Sequence, residues 1–236
     1  MSFLTSVLDW LRDPTHWTGD DGIPMRTLQH VQISFESVAI GAVIALPIGI
    51  ALGHYGKFGN LAINISNVGR AVPSFGILII AFQVFGLGDT PTVIALVALA
   101  IPPMVTNSYV GLSEVDKDVR DAARGMGYRE VAQLARIELP LAVPLVMAGI
   151  RTSAVQVIAT ATVAAFIGGG GLGRFIVDGY ATQIYPAVFA GAVAVALLAV
   201  VTELALGGLE RLLMPRGVRL ERSGSVQRMV ITVKTA

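Results

Sequence analysis

DAARGMGYREVAQLARIELP, residues 121–140, is a charged and helix-forming segment inside an otherwise apolar chain. Apolar residues recur at helical spacing on both sides of a pair of glycines, Gly125 and Gly127. Glycine readily adopts the left-handed backbone that ends one helix and redirects the chain. Pro140 closes the segment, where a following helix tolerates its missing N–H. The pattern predicts two short amphipathic helices that meet at a glycine corner, the second of them ended by Pro140.

The composition around this segment is that of a membrane protein. Of 236 residues, 54% are hydrophobic and only 14% are charged, against roughly 25% charged in soluble domains. Several uncharged runs reach the roughly 17–25 residues that a helix needs to cross a bilayer. Five such runs could not share one soluble core. We therefore predict an all-α membrane protein with about five transmembrane helices, near residues 33–53, 68–88, 90–112, 141–167 and 184–207.

Charge and hydropathy divide the chain into an N-terminal extracytoplasmic or interfacial segment (1–30), a transmembrane domain (31–213) and a basic tail (214–236). The polar insert, 113–140, interrupts the transmembrane domain after the third span. Cations are concentrated in the insert and the tail, whereas the GDTP turn at 88–91 has none. Because Lys and Arg mark cytoplasmic loops, we expect the insert and the C-terminus in the cytoplasm and the N-terminus outside. The chain would then be a multi-pass protein of the cytoplasmic membrane.

The insert resembles the signature of the inner-membrane permeases of binding-protein-dependent ABC importers. That signature reads Glu-Ala-Ala, three residues, Gly, nine residues, Ile-x-Leu-Pro; here Asp121 replaces the glutamate. In this family the insert docks on an ATPase subunit and couples its movement to the membrane helices, in a type I permease fold. The resemblance implies that coupling rests on Asp121, Ala122, Ala123, Gly125, Gly127, Ile137, Leu139 and Pro140.

The resemblance extends over roughly residues 30–213. These residues resemble the osmoprotectant branch of the family, whose members carry glycine betaine, choline or carnitine. IALPIGIALGHYGK (44–57) and GGGGLGRFIVDG (168–179) are two of the matching stretches. Membership would make the chain the permease subunit of an ATP-driven importer. Its partners would be ABC ATPase subunits, a second permease copy or a sister permease, an extracytoplasmic substrate-binding protein, and membrane lipid.

The residue content argues against catalysis and cofactor binding by this chain. It lacks a G-x-x-x-x-G-K-[ST] phosphate loop, so we expect ATP and Mg²⁺ on the partner ATPase and no enzyme activity here. It has no cysteine and three scattered histidines, which predicts neither a metal site nor a catalytic site. The net charge of +1 does not indicate the excess of Lys and Arg that binding to nucleic acid requires. The glycine run 168–171 is expected to end span four, not to bind phosphate.

Polar residues inside or near the spans are candidates for the translocation pathway or for helix pairing. Arg151 and Glu203 are placed to form an ion pair near the cytoplasmic ends of spans four and five. The full candidate set is Gln83, Asn107, Arg151, Gln156 and Glu203. The alternative to an ABC permease is a secondary transporter or channel that works without ATP.

Overall fold

The computed structural model describes residues 3–56 and 59–214, and within these ranges the chain is helical and has no strand. The predicted tail, 214–236, lies outside the described residues except for Met214. We number the α-helices α1 (Phe3–Arg12), α2 (Ile23–Tyr55), α3 (Gly59–Ala71), α4 (Ser74–Phe85), α5 (Asp89–Ser113), α6 (Lys117–Gly125), α7 (Glu130–Gln133), α8 (Leu139–Ala161), α9 (Gly173–Ala181) and α10 (Tyr185–Leu213).

Four helices in the described part of the chain are long and apolar enough to cross a membrane. They are α2, α5, the continuous helix Glu130–Ala161 and α10. The shortest has 25 residues, about 38 Å at 1.5 Å per residue, which exceeds the roughly 30 Å of a hydrocarbon core. All four coincide with predicted spans, although α2 begins ten residues before residue 33.

The predicted single span at 68–88 is wrong. The chain forms α3 and α4 here, with a break at Val72 and Pro73. The residue before a proline is disfavoured in the helical conformation, and Pro73 is instead the N-cap of α4. With 12 residues, α4 is about 18 Å long and shorter than the hydrocarbon core. The described part of the fold therefore has four full-length spans and one short apolar helix.

The centre of the fold is the packing of α2 and α8 on α5. Small residues at four-residue spacing on α2 (Gly41, Ala45, Gly49, Gly53) are buried in this contact. A Cβ atom at Gly49 would lie 2.7 Å from the Val105 carbonyl oxygen, and one at Gly53 would lie 2.6 Å from that of Tyr109. Such small-residue seams let the backbones of membrane helices approach closely.

Pro140 does not separate the insert from the next span, contrary to the sequence prediction. The helix runs without interruption from Glu130 to Ala161, because residues Leu134–Glu138 form a π turn. The Leu139 N–H donates to the Leu134 carbonyl, five residues back. Pro140 has no N–H, and its ring crowds the preceding turn of an α-helix; a wider turn relieves both problems. We call Glu130–Ala161 the coupling rod.

The other end of α8 carries the glycine run. A 3-10 turn, Val163–Ile167, ends at Gly168, which has a positive φ of 84°. The predicted turn at the end of span four is therefore present. Nearby, α1 packs on α10, with the Phe3 and Phe189 rings 5.7 Å apart. The insert and the glycine run thus occupy opposite ends of α8.

Candidate functional site

The glycine corner joins α6 to the coupling rod with a defined set of backbone hydrogen bonds. Gly127 has φ +81°, and its N–H donates to the Arg124 carbonyl at 2.9 Å. The Tyr128 N–H donates to the Ala123 carbonyl at 3.2 Å. This pair of bonds is a Schellman motif, in which a left-handed residue satisfies the last carbonyls of a helix. Gly125 differs, because it is the last residue of α6 itself.

The outer side of the corner exposes apolar and small residues. Met126 is 68% exposed and Val131 is 79% exposed. Asp121, Ala122, Gly125 and Gly127 are also exposed. We call this set of six residues the corner surface. Neither Gly125 nor Gly127 has an atom within 4 Å of where a Cβ would stand, so the chain itself leaves the space above both glycines open.

Four of the predicted coupling residues lie below this surface. Ala123 is fully buried within the chain. Its small side chain is therefore covered by this chain itself. Ile137, Leu139 and Pro140 are half-buried in the coupling rod, and Leu139 packs on the buried residues Leu112, Ala142 and Val146.

Beneath the corner lies a buried carboxylate that the sequence analysis did not single out. Glu138 is fully buried, with Oε2 2.7 Å from His54 Nδ1. Its Oε1 accepts a hydrogen bond of 2.7 Å from Gln133 Nε2 and lies 3.5 Å from Arg120 Nε. We call Arg120, Gln133, Glu138 and His54 the Glu138 cluster.

Arg120 also connects α6 to the ends of two spans. Its guanidinium donates to the His54 carbonyl at 3.3 Å and to the Leu112 carbonyl, in the last turns of α2 and α5. Carbonyls at helix C-termini lack intrahelical partners and carry partial negative charge, which a cation stabilises. One side chain of the insert thus holds two membrane helices.

Of the candidate polar residues in the spans, the described structure brings only two together. Arg151 Nε lies 3.1 Å from Glu203 Oε1, so the predicted pair is present. Arg151 also lies 3.2 Å from Glu210, which the sequence analysis did not propose. Asn107 Nδ2 donates within its own helix to the Pro103 carbonyl at 2.8 Å. Gln156 is half-buried and Gln83 is exposed.

At the other end of the fold, the glycine run binds the chain's own side chains. The Gly171 N–H donates to Gln29 Oε1 at 3.2 Å, and the Gly170 N–H donates to Asp89 Oδ1 at 3.3 Å. A Cβ at Gly171 would lie 2.9 Å from His30 Nδ1. The glycines therefore permit close packing against the start of α2. Within residues 3–56 and 59–214, no group of three His, Asp or Glu side chains is placed to hold a metal ion.

Solved structures share this fold, a helical membrane domain with a cornered polar insert. Two inward-facing crystal forms of the MetNI methionine ABC transporter match. One has a TM-score of 0.69 at 20% identity, covering 80% of this chain and 94% of that chain. The other has a TM-score of 0.71 at 19% identity, covering 91% and 100%.

Residues 44–215 match the family described as binding-protein-dependent transport system inner membrane component. The chain belongs to this family. It is 40% identical over 200 residues to the carnitine transport permease protein OpuCB of Listeria monocytogenes, covering 85% of this chain and 92% of the relative. It is 37% identical over 194 residues to the choline transport system permease protein OpuBB of Bacillus subtilis, covering 82% and 89%.

Family membership confirms the resemblance seen in the insert. The chain is the multi-pass membrane subunit of an ABC importer that works with an ATPase and a substrate-binding protein, and ATP is hydrolysed by a separate chain. The alternative of a carrier or channel without ATP is therefore wrong.

Proposed function

We propose that this permease imports a small quaternary amine such as carnitine, choline or glycine betaine. The proposal is supported by the relatives, several of which are named for these solutes at 36–40% identity. We further propose that the partner ATPase docks on the corner surface, and that ATP and Mg²⁺ bind to that partner. The chain then supplies the membrane path and the lever, and the partner supplies the energy.

The exposed corner surface is the observation that carries the docking proposal. Met126 and Val131 are more than two-thirds exposed at the tip of a charged insert, where an uncovered apolar side chain favours a protein contact. Ala122 and Gly125 leave room for a partner to approach the helix backbone closely. The Schellman motif and the Glu138 cluster beneath it hold this surface in one shape. A movement of the partner is therefore passed to the spans and not lost in a flexible loop.

The variant Gly125→Leu directly tests whether the ATPase docks on the corner surface. The space above Gly125 is open within the chain, so the variant should fold but push the ATPase away. Gly208→Leu is the matched control, because Gly208 also has an open environment in a helix, far from the corner along the chain. We expect co-purification of the ATPase to be lost with Gly125→Leu and kept with Gly208→Leu. Equal recovery of the ATPase with both variants would refute docking at this surface.

The solute proposal is tested by uptake in a strain that lacks the gene. Labelled choline, carnitine and glycine betaine should each be offered, with and without the complementing chain and its ATPase. We expect restored, ATPase-dependent uptake of at least one of the three. Restored uptake of an unrelated solute alone would refute the proposed substrate class.

We also propose that a second permease, a copy or a sister chain, packs against α4. Leu78 and Ala81 on one side of α4 are buried in this chain, whereas Ile80 and Val84 on the other side are 64% and 67% exposed. Gln83 lies on this exposed side, and an amide that faced lipid would be costly. Because the chain has no cysteine, Gln83→Cys gives a clean crosslink test; absence of the crosslink in the intact transporter would contradict this interface.

A further inference from the structure

The Glu138 cluster is placed where the insert meets the membrane domain. Removing a carboxylate from water is costly unless partners and hydrogen bonds replace the solvent. Glu138 has such partners in Arg120 from α6, in His54 from α2, and in Gln133, which lies one turn earlier in the coupling rod. Glu138 itself lies in the π turn of the coupling rod. The cluster therefore ties the corner to the rod and to α2.

Arg120 extends this connection to a third span. Among the described residues, the hydrogen bonds that run from α6 to α2 and to α5 are made by the Arg120 guanidinium. Its bonds go to backbone carbonyls of His54 and Leu112, so a displacement of α6 pulls on helix ends and not on flexible side chains. The planar, multiply bonded guanidinium fixes direction as well as distance.

A contribution to folding alone does not explain this arrangement well. Replacing a buried ion pair by apolar residues often leaves stability unchanged or improves it. Apolar packing between the insert and the spans is already present, since Leu134 and Leu139 contact the buried Leu112, Ala142 and Val146. What the charged cluster adds is a directional link between α6 and the ends of two spans.

We propose that Arg120, Glu138 and His54 form the joint that transmits movement of the corner surface to α2 and α5. They act as positioning residues: they contact neither the solute nor, being beneath the surface, a docked partner. This inference rests on the proposed docking of an ATPase at the corner surface. It predicts that breaking the joint separates ATP hydrolysis from solute movement while the complex stays assembled.

Glu138→Gln in the full transporter tests the joint. The amide keeps the size of the side chain and an acceptor for Gln133, but loses the charge that holds Arg120. We expect the ATPase to co-purify normally and to keep its activity, while solute moved per ATP falls roughly tenfold, within the range usual for coupling between sites. Glu114→Gln is the matched control, since Glu114 is an exposed carboxylate at the end of α5, outside the cluster.

The outcomes distinguish a coupling joint from a cluster that only supports folding. A parallel loss of hydrolysis and uptake with a lower melting temperature would show a merely structural role and overturn the inference, as would unchanged coupling. Failure of the wild-type chain to bind an ATPase at the corner would overturn the docking proposal first, and the joint with it.

A second measurement needs no change in the cluster. Because the chain has no cysteine, spin labels can be attached at Lys117→Cys on α6 and Ala51→Cys on α2, both exposed positions. A rigid joint keeps the distance between these labels constant between the nucleotide-free and ATP-trapped transporter. A change in this distance with an intact Glu138 cluster would overturn the inference.

Discussion

Gly125 and Gly127 stand two residues apart in the corner but meet different backbone requirements. Gly127 has φ +81°, whereas Gly125 ends α6 without a positive φ. A side chain at Gly127 is therefore strained whatever space is available, because L-residues with a Cβ disfavour the left-handed region. The two positions separate backbone strain from partner contact.

Gly127→Ala should destabilise the isolated permease by about 1–2 kcal/mol, the usual cost of a left-handed L-residue. Gly125→Ala should leave stability unchanged or slightly raise it, since alanine favours helix over glycine. Thermal unfolding of the purified permease in detergent measures both. Equal melting temperatures for the two variants would contradict the Schellman geometry.

Arg151 has two carboxylate partners of unequal burial, Glu203 at 3.1 Å and Glu210 at 3.2 Å. Glu210 is 7% exposed, so Arg151→Gln withdraws a charge partner from a nearly buried carboxylate. We expect a loss of about 1.5–3 kcal/mol, the usual contribution of a hydrogen bond to a charged group. Glu203→Gln should cost less, because the side chain of Glu203 is 46% exposed. The order of melting temperatures checks this, and the reverse order would contradict the pairing.

At the scale of single residues, the sequence predicts those features whose residues lie close together in the chain. The corner was predictable because Gly127 and the flanking helical periodicity lie within twenty residues. The Glu138 cluster was not, because His54 is 84 residues from Glu138 and looks isolated in the sequence. The one local indication of this cluster was Glu138 itself, a glutamate directly before Leu-Pro at the start of an apolar run.

Among the helices, the seam between α2 and α5 depends on the absence of side chains. A Cβ at Gly49 would lie 2.7 Å from the Val105 carbonyl oxygen, and backbone does not yield as a flexible side chain would. Gly49→Val should therefore destabilise the permease by about 1–3 kcal/mol through overpacking. Ala51→Val, on the exposed side of the same helix, should have little effect. Equal yield and melting temperature for both variants would contradict the close helix contact.

Helix prediction succeeded where length and apolar content decide, as in α2, α5 and α10. It failed at two prolines, in opposite directions. Pro73 lies inside an apolar run that reads as one span, yet it separates α3 from α4. Pro140 predicts a helix boundary, yet the helix continues through it because of the π turn at Leu134–Glu138. Hydropathy does not report backbone geometry, so neither outcome is visible in the apolar pattern.

For the whole molecule, the orientation in the membrane is a prediction from the charge distribution. The insert and the glycine run lie at opposite ends of α8, so they should face opposite compartments. Single cysteines at Asp20 and Met126 test this, since the native chain has none and both positions are exposed. A membrane-impermeant maleimide should label Asp20→Cys in intact cells, and Met126→Cys only after permeabilisation. Labelling of Met126→Cys in intact cells would refute a cytoplasmic insert.

The π turn makes the number of residues between Gly127 and Pro140 important for the direction in which the corner points. A π turn holds one surplus residue relative to an α turn. Removing Ala135, which is exposed, would let the rod become a regular α-helix with little rotation, because about five residues of a π turn cover nearly the same angle as about four of an α turn. Gln133 would still face Glu138, as a pair four residues apart on one side of an α-helix, and the corner would keep its direction about the rod axis. Inserting one residue into the rod would instead rotate the corner by about 100° around the helix axis while leaving every span intact, so the nine-residue interval fixes where the corner points.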